Sequence, residues 1–354
     1  MGSIEILGFS DKEKYKLVCI RDKKEIAEDT FVKYKIIDLF AGIGGIRLGF
    51  ERMGKFISVY SNDNDKYACD TYDMNFKGEI DRRNIWEVLA TNRIPSFDVL
   101  LAGFPCQAFS IAGNKKGFYD ERGTLFFAVE KIIDRYRPKA FLLENVKNLK
   151  SHDEGMTFKV IMDILQNKLG YHVNYAILNS SNFGVPQKRE RIYIVGFRKK
   201  TAFEFPEGNK FTKGIKAILE KKVDNKYYLS ETYLKGLKRH RERHERKGHG
   251  FGYNVLERNR NAFALVCGGM GRERNLVKDR RPKERYKYTN GKIKLNGEGI
   301  RKLTPRECAR LQGFPDSFKL NKSDTQAYKQ ISNSVTVNVI EAIAKRIYKT
   351  MEDI

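Results

Sequence analysis

The sequence predicts an α/β protein with a doubly wound, mostly parallel sheet and a second, smaller and less regular domain. Between about residues 34 and 200, short β-rich runs alternate with amphipathic stretches, as in βαβ units. Beyond about residue 200 this periodicity weakens, and helical patterning returns over 301–354. The predicted strands cover 33–40, 56–62, 97–104, 140–146, 172–179 and 191–197.

Helices are predicted between and after these strands, over 46–53, 124–136 and 336–351. The second ends before Pro138, because a residue that precedes proline avoids helical geometry. We therefore expect three regions, which are a peripheral N-terminal extension, a main domain of two chain segments and a second domain. Their predicted ranges are 1–30, then 31–200 with 326–354, and 201–325.

The chain is strongly basic, with 68 Lys and Arg against 44 Asp and Glu and a formal net charge of +24. A polyanionic partner explains such an imbalance, and the segment 235–253 is especially basic. Nucleic acid is favoured over a membrane, because no run approaches the roughly 18 apolar residues that span a bilayer. No signal-peptide core is present, so we expect a cytoplasmic protein.

The five cysteines are scattered along the chain, which indicates neither a disulfide framework nor a zinc-finger spacing. We therefore expect a reduced protein without a structural metal. Cys106 lies directly after Pro105 in the stretch AGFPCQAFS. A free cysteine is usually a small buried apolar residue, and a reactive thiolate needs an electropositive, partly exposed site. This stretch alone leaves both interpretations open.

A glycine-rich stretch, DLFAGIGG at 38–45, follows the first strand and opens a helix, where backbone N–H groups can meet a ligand. Arg47 stands where a dinucleotide fingerprint needs its third glycine, which argues against NAD. Asp63, 19 positions after Gly44, could accept hydrogen bonds from ribose hydroxyls. A nucleoside cofactor without a pyrophosphate fits, with Phe40 against its base; a tight turn beside a core aromatic is the alternative.

Six stretches in order resemble the cytosine-5 DNA methyltransferases, particularly the small bacterial enzymes of restriction-modification systems. The resemblance spans about 34–350 and omits only about 205–295. It implies the S-adenosylmethionine-dependent methyltransferase fold, with a DNA target-recognition domain over 201–325. The stretches are DLFAGIGG, GFPCQAFS, ENVKNL, QKRERIYIVGF, RKLTPRECARLQGFPD and QAYKQISNSVTVNVI.

The resemblance implies three catalytic residues. Carbon 5 of cytosine is a poor nucleophile toward a methyl sulfonium, and addition of the Cys106 thiolate to carbon 6 would activate it. Glu144 matches the family's carboxyl group that gives a proton or hydrogen bond to ring nitrogen 3, a role for which a raised pKa is expected. Arg191 matches the arginine that holds the cytosine carbonyl oxygen. By themselves, Glu144 and Arg191 could equally be solvated surface charges.

The resemblance also implies S-adenosylmethionine as cofactor, S-adenosylhomocysteine as product and no metal. Asn84 and Ile85 occupy an adenine-contacting position that is usually acidic in relatives. Ser332 stands where the family often has glycine. The implied cofactor-site residues are Asp38, Phe40, Gly42, Gly44, Gly45, Asp63, Asn84, Ile85, Pro105 and Asn333.

The implied partner is double-stranded DNA, from which the target cytosine is flipped out of the stack. The glycine-containing loop 108–124 is suited to close over DNA. The segment 265–276 is expected to enter the major groove, where an arginine could pair with guanine, although contact with phosphates alone is equally open. It faintly resembles target domains for GGNCC-like sites. The implied DNA contacts are Gln107, Ser110, Lys115, Arg189, Arg272 and Arg274. A structural role is equally open for Arg189.

Two other functions remain to be weighed. A tRNA cytosine-5 methyltransferase shares these motifs, but its typical Cys-Phe-Thr tripeptide is absent. A non-catalytic DNA-binding relative would be expected to lose the Pro-Cys or Glu-Asn-Val elements, and both are present. We expect a monomer that associates with the nucleoid through DNA and protects a site cut by a separate restriction endonuclease.

Overall fold

The computed structural model describes residues 33–91, 93–105, 125–210, 214–246, 248, 252–267, 273–279, 288–289 and 293–354. Contacts divide the chain into two compact units. The first unit takes its residues from 1–178, 190–207 and 337–354, and the second takes them from 179–189 and 208–336. The predicted extension, 1–30, lies outside the described residues.

A six-stranded sheet forms the centre of the first unit, in the order β2-β1-β3-β4-β7-β5. The pairs β1–β2, β1–β3 and β3–β4 are parallel, and β7 is antiparallel to β4. The predicted α/β class with a mostly parallel sheet is therefore confirmed. The strands are β1 (Tyr34–Leu39), β2 (Phe56–Asn62), β3 (Val99–Ala102), β4 (Ala140–Val146), β5 (His172–Asn179) and β7 (Glu190–Phe197), while the short β6 (Gln187–Lys188) belongs to the second unit.

Helices cover this sheet and bury its apolar runs. The core groups Ile37 and Leu100 of the sheet with Val129, Ile132 and Ile161 of the helices, all wholly or almost wholly buried. Such burial explains why the central strands are continuous apolar runs rather than alternating ones. The helices are α1 (Gly45–Glu51), α2 (Lys66–Asp73), α3 (Ile85–Thr91), α4 (Leu125–Tyr136), α5 (Met156–Asp163, continued by a π-helical turn over Ile164–Lys168) and α9 (Val337–Glu352).

Two glycines allow close packing in the first unit. Gly49 of α1 faces α9, where an added Cβ would lie 2.5 Å from Ile340 Cγ2. Gly196 of β7 is paired with Phe141 of β4, and an added Cβ there would lie 2.1 Å from the Phe141 ring. Contacts this short are sterically forbidden, so both positions require glycine. The contact at Gly49 packs α9 against α1, and the contact at Gly196 packs the Phe141 ring against β7.

In its described residues, the second unit has short strands and three α-helices, in agreement with its predicted irregularity. β10 lies between β13 and β8 in a three-stranded sheet, while β11 pairs with β12 and β6 with β9. The remaining strands are β8 (Val255–Leu256), β9 (Ala262–Phe263), β10 (Leu276–Lys278), β11 (Tyr288–Thr289), β12 (Ile293–Lys294) and β13 (Ile300–Arg301). The helices are α6 (Glu231–Glu245), α7 (Pro305–Leu311) and α8 (Asp324–Asn333).

The second unit holds two segments that the sequence analysis placed in the main domain. In the segment 179–189, the Gln187 side-chain amide donates to the carbonyl of Leu311 over 3.0 Å. In the segment 326–336, the Tyr328 hydroxyl donates to the carbonyl of Leu303 over 2.5 Å. These long-range contacts differ from the predicted boundaries because hydrophobic periodicity does not reveal which distant segment a strand end or helix contacts.

A buried ion pair organises the start of α7. The Arg301 guanidinium donates to both carboxylate oxygens of Glu307, over 2.8 and 2.9 Å, and both side chains are at most 2% exposed. The same carboxylate accepts from the backbone N–H of Thr304, whose hydroxyl accepts from the Glu307 N–H, which completes a capping box. Glu307 thus links Arg301, the last residue of β13, to the first turn of α7.

Among the described helices, none is long and apolar enough to cross a membrane.

Candidate active site

The candidate site lies at one edge of the six-stranded sheet. The strand order reverses between β1 and β3, so the chain leaves these neighbours in opposite directions and a crevice forms beyond their carboxyl ends. β2 and β4 end at the same edge because they are parallel to β1 and β3. The antiparallel β7 begins there. This edge therefore collects the residues that follow β1, β2 and β3, the end of β4 and the start of β7.

The glycine loop after β1 has a left-handed backbone. Phe40, Gly42 and Gly44 have φ values of 55°, 56° and 80°. Glycine adopts such values readily, whereas a bulky residue like Phe40 adopts them only under constraint. A Cβ added at Gly44 would lie 2.2 Å from the ring of Phe76, but one at Gly42 would meet no atom within 4 Å. The loop is therefore packed on one side and open beside Gly42.

Asp63 ties this loop to the end of β2. One of its carboxylate oxygens accepts from the Gly42 N–H and the other from the Asp65 N–H, each over 2.8 Å. Burial raises the pKa of Asp63, and the hydrogen bonds oppose that increase. The predicted ribose acceptor thus also organises the loop's backbone, a role that the sequence analysis did not anticipate.

Asp38 is wholly buried at the end of β1. Its Oδ2 accepts from the Arg47 N–H over 3.2 Å, while Oδ1 has no hydrogen-bond partner in the described part of the chain. Burial raises the pKa of Asp38 to about 7. Arg47, which breaks the dinucleotide fingerprint, donates to the Tyr72 hydroxyl and pairs with Glu51 at 2.9 Å.

The predicted adenine-contacting pair begins α3. The exposed Asn84 accepts from the Trp86 N–H over 3.0 Å and so caps the helix. Ile85 is 3% exposed and packs in the main core with Val88 and Leu89. The structure therefore gives the Ile85 side chain a packing role and differs from its prediction as a cofactor contact. Its apolar character reflects a helix that must bury one face.

The segment after β3 leads toward Cys106 and is held by a residue that the sequence analysis missed. Asn145, 3% exposed near the end of β4, donates from its side-chain amide to the carbonyl of Phe104 over 2.9 Å. Pro105, which follows, is exposed. The signal for Asn145 was available, because a polar residue inside an apolar strand needs a buried partner.

Glu144 and Arg191 meet across the antiparallel pair β4–β7. Glu144 is opposite Tyr193, so Arg191 is its diagonal neighbour on the same face. Their closest atoms, Glu144 Oε1 and Arg191 Nε, are 3.2 Å apart, and both side chains are largely buried. The other Glu144 oxygen lies 3.6 Å from where a Cβ of Gly103 would be. The structure therefore brings Glu144 and Arg191 together beside the segment that precedes Cys106.

Arg189, predicted to serve structure or DNA phosphates, is buried in the second unit. Its side chain is 3% exposed and donates to the carbonyls of Leu265, Ser332 and Ser334 over 2.8 to 3.0 Å. A guanidinium buried on three carbonyls serves the packing of that unit, so the structure corrects the prediction of a DNA contact. The resemblance distinguished Arg189 from Arg191, two positions along, but left a structural role and a phosphate contact both open for Arg189.

Other predicted residues lie in the second unit or outside the described residues. Asn333 is exposed as the last residue of α8, and Arg274 is exposed with its guanidinium 5.7 Å from the centre of the Phe263 ring. Within the described ranges, no group of three His, Cys, Asp or Glu could hold a metal ion. The predicted residues outside the described ones are Cys106, Gln107, Ser110, Lys115 and Arg272.

Solved structures support the fold. A methyltransferase of Entamoeba histolytica, EhMeth, matches with a TM-score of 0.68 and 22% identity over 90% of this chain and 99% of the other. A DNMT2 variant of Spodoptera frugiperda matches with a TM-score of 0.67 and 22% identity, over 89% of this chain and all of the other. At this identity, the likeness concerns the fold alone.

Sequence relatives are closer. The type II methyltransferase M.HpaII of Haemophilus parainfluenzae is 52% identical over 325 residues, which cover 90% of each chain. The type II methyltransferase M1.ScrFI of Lactococcus lactis subsp. cremoris is 45% identical over 90% of this chain and 79% of its own. The family model for C-5 cytosine-specific DNA methylases matches residues 34–349. The chain therefore belongs to the C-5 cytosine-specific DNA methylase family.

Proposed function

We propose that the chain transfers a methyl group from S-adenosylmethionine to carbon 5 of a flipped-out cytosine in a specific short sequence of double-stranded DNA. The observation that carries this proposal is the Glu144–Arg191 pair, 3.2 Å apart and beside the segment that ends immediately before Cys106. A carboxyl group and a guanidinium are the two groups needed at nitrogen 3 and the carbonyl oxygen of cytosine. The relatives' description as type II methyltransferases supports a protective role in a restriction-modification system.

Cys106 supplies the nucleophile in this mechanism. Addition of its thiolate to carbon 6 forms a C–S bond and moves the electrons of the 5,6 double bond toward carbon 5, with negative charge relieved at nitrogen 3. After methylation, loss of the carbon-5 proton expels the thiolate and restores the ring. Asn145 is the positioning residue, since its bond to the Phe104 carbonyl anchors the backbone two residues before the thiol.

Glu144 and Arg191 bind the cytosine edge. With a proton that it holds or shares, Glu144 donates to nitrogen 3 as charge develops there, and Arg191 donates to the carbonyl oxygen. Their mutual contact fixes both side chains before substrate arrives, which lowers the entropic cost of aligning them. Lys147, just after β4, and Glu190, the first residue of β7, pair with each other at 2.6 Å.

The crevice after β1 and β2 has features that fit S-adenosylmethionine. In the part of the chain that the structure describes, Asp38 carries a buried oxygen without a hydrogen bond. The space beside Gly42 is open, so a polar ligand could approach the loop there. Asp63 would hold the ribose, Asn84 would meet the adenine edge, and Phe40, Gly44, Gly45 and Pro105 would line the site. When bound, S-adenosylmethionine supplies the methyl sulfonium, and S-adenosylhomocysteine is released.

The second unit reads the DNA in this proposal. Arg274, exposed beside Phe263, would reach a base edge together with Arg272, while Gln107, Ser110 and Lys115 would contact the duplex near the flipped base. Flipping costs a few kcal/mol, which contacts to the duplex must offset. The proposed enzyme acts as a monomer, and Asn333 would support the catalytic loop.

A tRNA substrate is not favoured, because the curated relatives at 43% to 52% identity are type II methyltransferases.

The substrate assignment predicts incorporation of labelled methyl groups into duplex DNA, without added divalent metal. Bisulfite sequencing of the product should show one cytosine protected within one short recurring sequence. The same assay with total tRNA should give only background counts. Transfer to tRNA alone would overturn the DNA assignment.

Replacing Cys106 by alanine is expected to abolish covalent trapping on duplexes that carry 5-fluorocytosine, because the C–S bond can no longer form. Trapping is measured as a denaturation-resistant band in electrophoresis. Cys308→Ala is the matched control, since this buried thiol lies in α7 and should leave trapping intact. Persistence of the adduct in the Cys106 variant would exclude this nucleophile.

Glu144→Gln is expected to lower the single-turnover methylation rate by about 10²- to 10⁴-fold, because the amide cannot transfer a proton. DNA affinity should change little, since the amide keeps the size of the side chain. The control is Glu190→Gln, a carboxylate at the start of β7 that pairs with exposed Lys147. Equal effects of the two substitutions would contradict a specific role for Glu144.

The raised pKa of Asp38 predicts that the stability of the fold depends on pH. Its folded-state pKa of about 7 lies above the ordinary value of 3.8, so the folded chain holds the proton more tightly. The free energy of unfolding therefore falls as pH rises from 3.8 to about 7, and the loss is complete above about pH 7. Relative to wild type, Asp38→Asn should gain about 3 kcal/mol between pH 5 and pH 8 in urea unfolding. An unchanged difference at the two pH values would refute this account.

A further inference from the structure

Helix α6 and its C-cap residue, Arg246, present a line of three arginines to solvent. Arg239, Arg243 and Arg246 follow one another at intervals of four and three residues, which places them on one side of the helix. All three are exposed. Their side chains make no ion pair or hydrogen bond with any residue that the structure describes, whereas other basic residues of α6 do. We call these three residues the α6 arginine row.

Other basic residues of α6 have acidic partners, and the α6 arginine row has none among the described residues. Lys235 pairs with Glu231 at 2.9 Å, Lys238 pairs with Glu298, and Arg241 pairs with Glu245 at 2.7 Å. The arginine row has Glu242 as an acidic neighbour on nearly the same side, and its carboxylate forms no ion pair with any of them in the structure. The row therefore carries a net positive charge that the fold does not neutralise.

The helix is held so that this side stays outward. Leu234 and Leu237 are buried at 3% and 5% exposure in a cluster with Leu229, Leu276 and Ile300. The row lies on the other side of α6 from these leucines. Ser230 caps the helix by accepting from the Tyr233 N–H over 3.1 Å. The α6 arginine row thus lies on a helix that is packed and capped within the second unit.

A purely structural role explains only part of the row. Cations in the last turn of a helix interact favourably with its dipole, which accounts for Arg243 and Arg246. Arg239 stands farther back, where this interaction fades, and it extends the same line. From Arg239 to Arg246 the helix rises about 10 Å, which matches about three phosphates along one strand of a duplex. Arginine also suits phosphate better than lysine does, because its planar fork donates two parallel hydrogen bonds.

We propose that the α6 arginine row binds the phosphate backbone of the double-stranded DNA substrate without reading its sequence. This inference rests on the proposed function, since it takes duplex DNA as the substrate. It adds a contact surface on a helix to the loop residues proposed to read bases. Such contacts release condensed counterions, so each neutralised phosphate steepens the salt dependence of binding by about 0.9 in log–log slope.

The test is the salt slope of binding to a 30-base-pair DNA duplex of mixed sequence, measured by fluorescence anisotropy. In the variant Arg239→Gln/Arg243→Gln/Arg246→Gln, the slope should become less steep by about 2 to 3. Lys238→Gln/Arg241→Gln is the control on the same helix, and it should change the slope much less per charge removed. Glu242→Gln should act in the opposite sense and tighten binding. Circular dichroism of each variant verifies that α6 is retained.

An unchanged slope in the folded triple variant would overturn the proposal, and so would an equal effect per charge in the control. Loss of binding to vesicles that contain anionic lipid, with the DNA slope unaltered, would assign the row to a membrane surface and also overturn it. Failure of the wild-type chain to methylate DNA would refute the proposed function instead, since the slope is measured without any methyl transfer.

Discussion

The reversal of strand order between β1 and β3 is the constraint on which the candidate site depends. It opens a crevice at the carboxyl edge of the sheet, where the ends of β1 to β4 meet. The antiparallel β7 adds to this edge, because its first residues lie beside the last residues of β4. A parallel strand in that place would start at the opposite edge and would remove Arg191 from Glu144. Topology therefore decides which charges can act together.

Side chains that bond to the backbone of neighbouring loops complete the edge. Asp63 holds the N–H of Gly42, and Asn145 holds the carbonyl of Phe104. Each satisfies a backbone group that an irregular loop would otherwise leave unpaired, and each links a loop to the strand beside it. A site assembled this way is ordered before ligands bind, which reduces the entropy lost on binding. The buried Asp38 is the exception, since one of its oxygens lacks such a partner.

The basic residues of the second unit fall into two groups with opposite environments. Arg189 and Arg301 are nearly inaccessible, and their guanidinium groups donate to carbonyls or to Glu307. The α6 arginine row is exposed and has no such partner among the described residues. A buried guanidinium stabilises the unit only while its acceptors remain in place, whereas an exposed one is available to another molecule. The formal charge of +24 thus overstates the charge that can face DNA.

Local periodicity was sufficient to predict the strands and the main helices, because a buried parallel strand and an amphipathic helix each need a distinctive apolar pattern. The family resemblance then singled out Glu144 and Arg191, and the structure places them in contact. Long-range contacts decided the rest. Arg189 is buried by residues 76 to 145 positions away in sequence, and Asn145 bonds to a loop 41 positions before it.

The sequence by itself therefore determined the fold class, the family and the pair of charges at the site. Only the tertiary structure decided which polar residues pack in the interior and which remain exposed. The physical reason is that burial depends on segments far apart in the chain, whereas a sequence pattern records the needs of one element at a time.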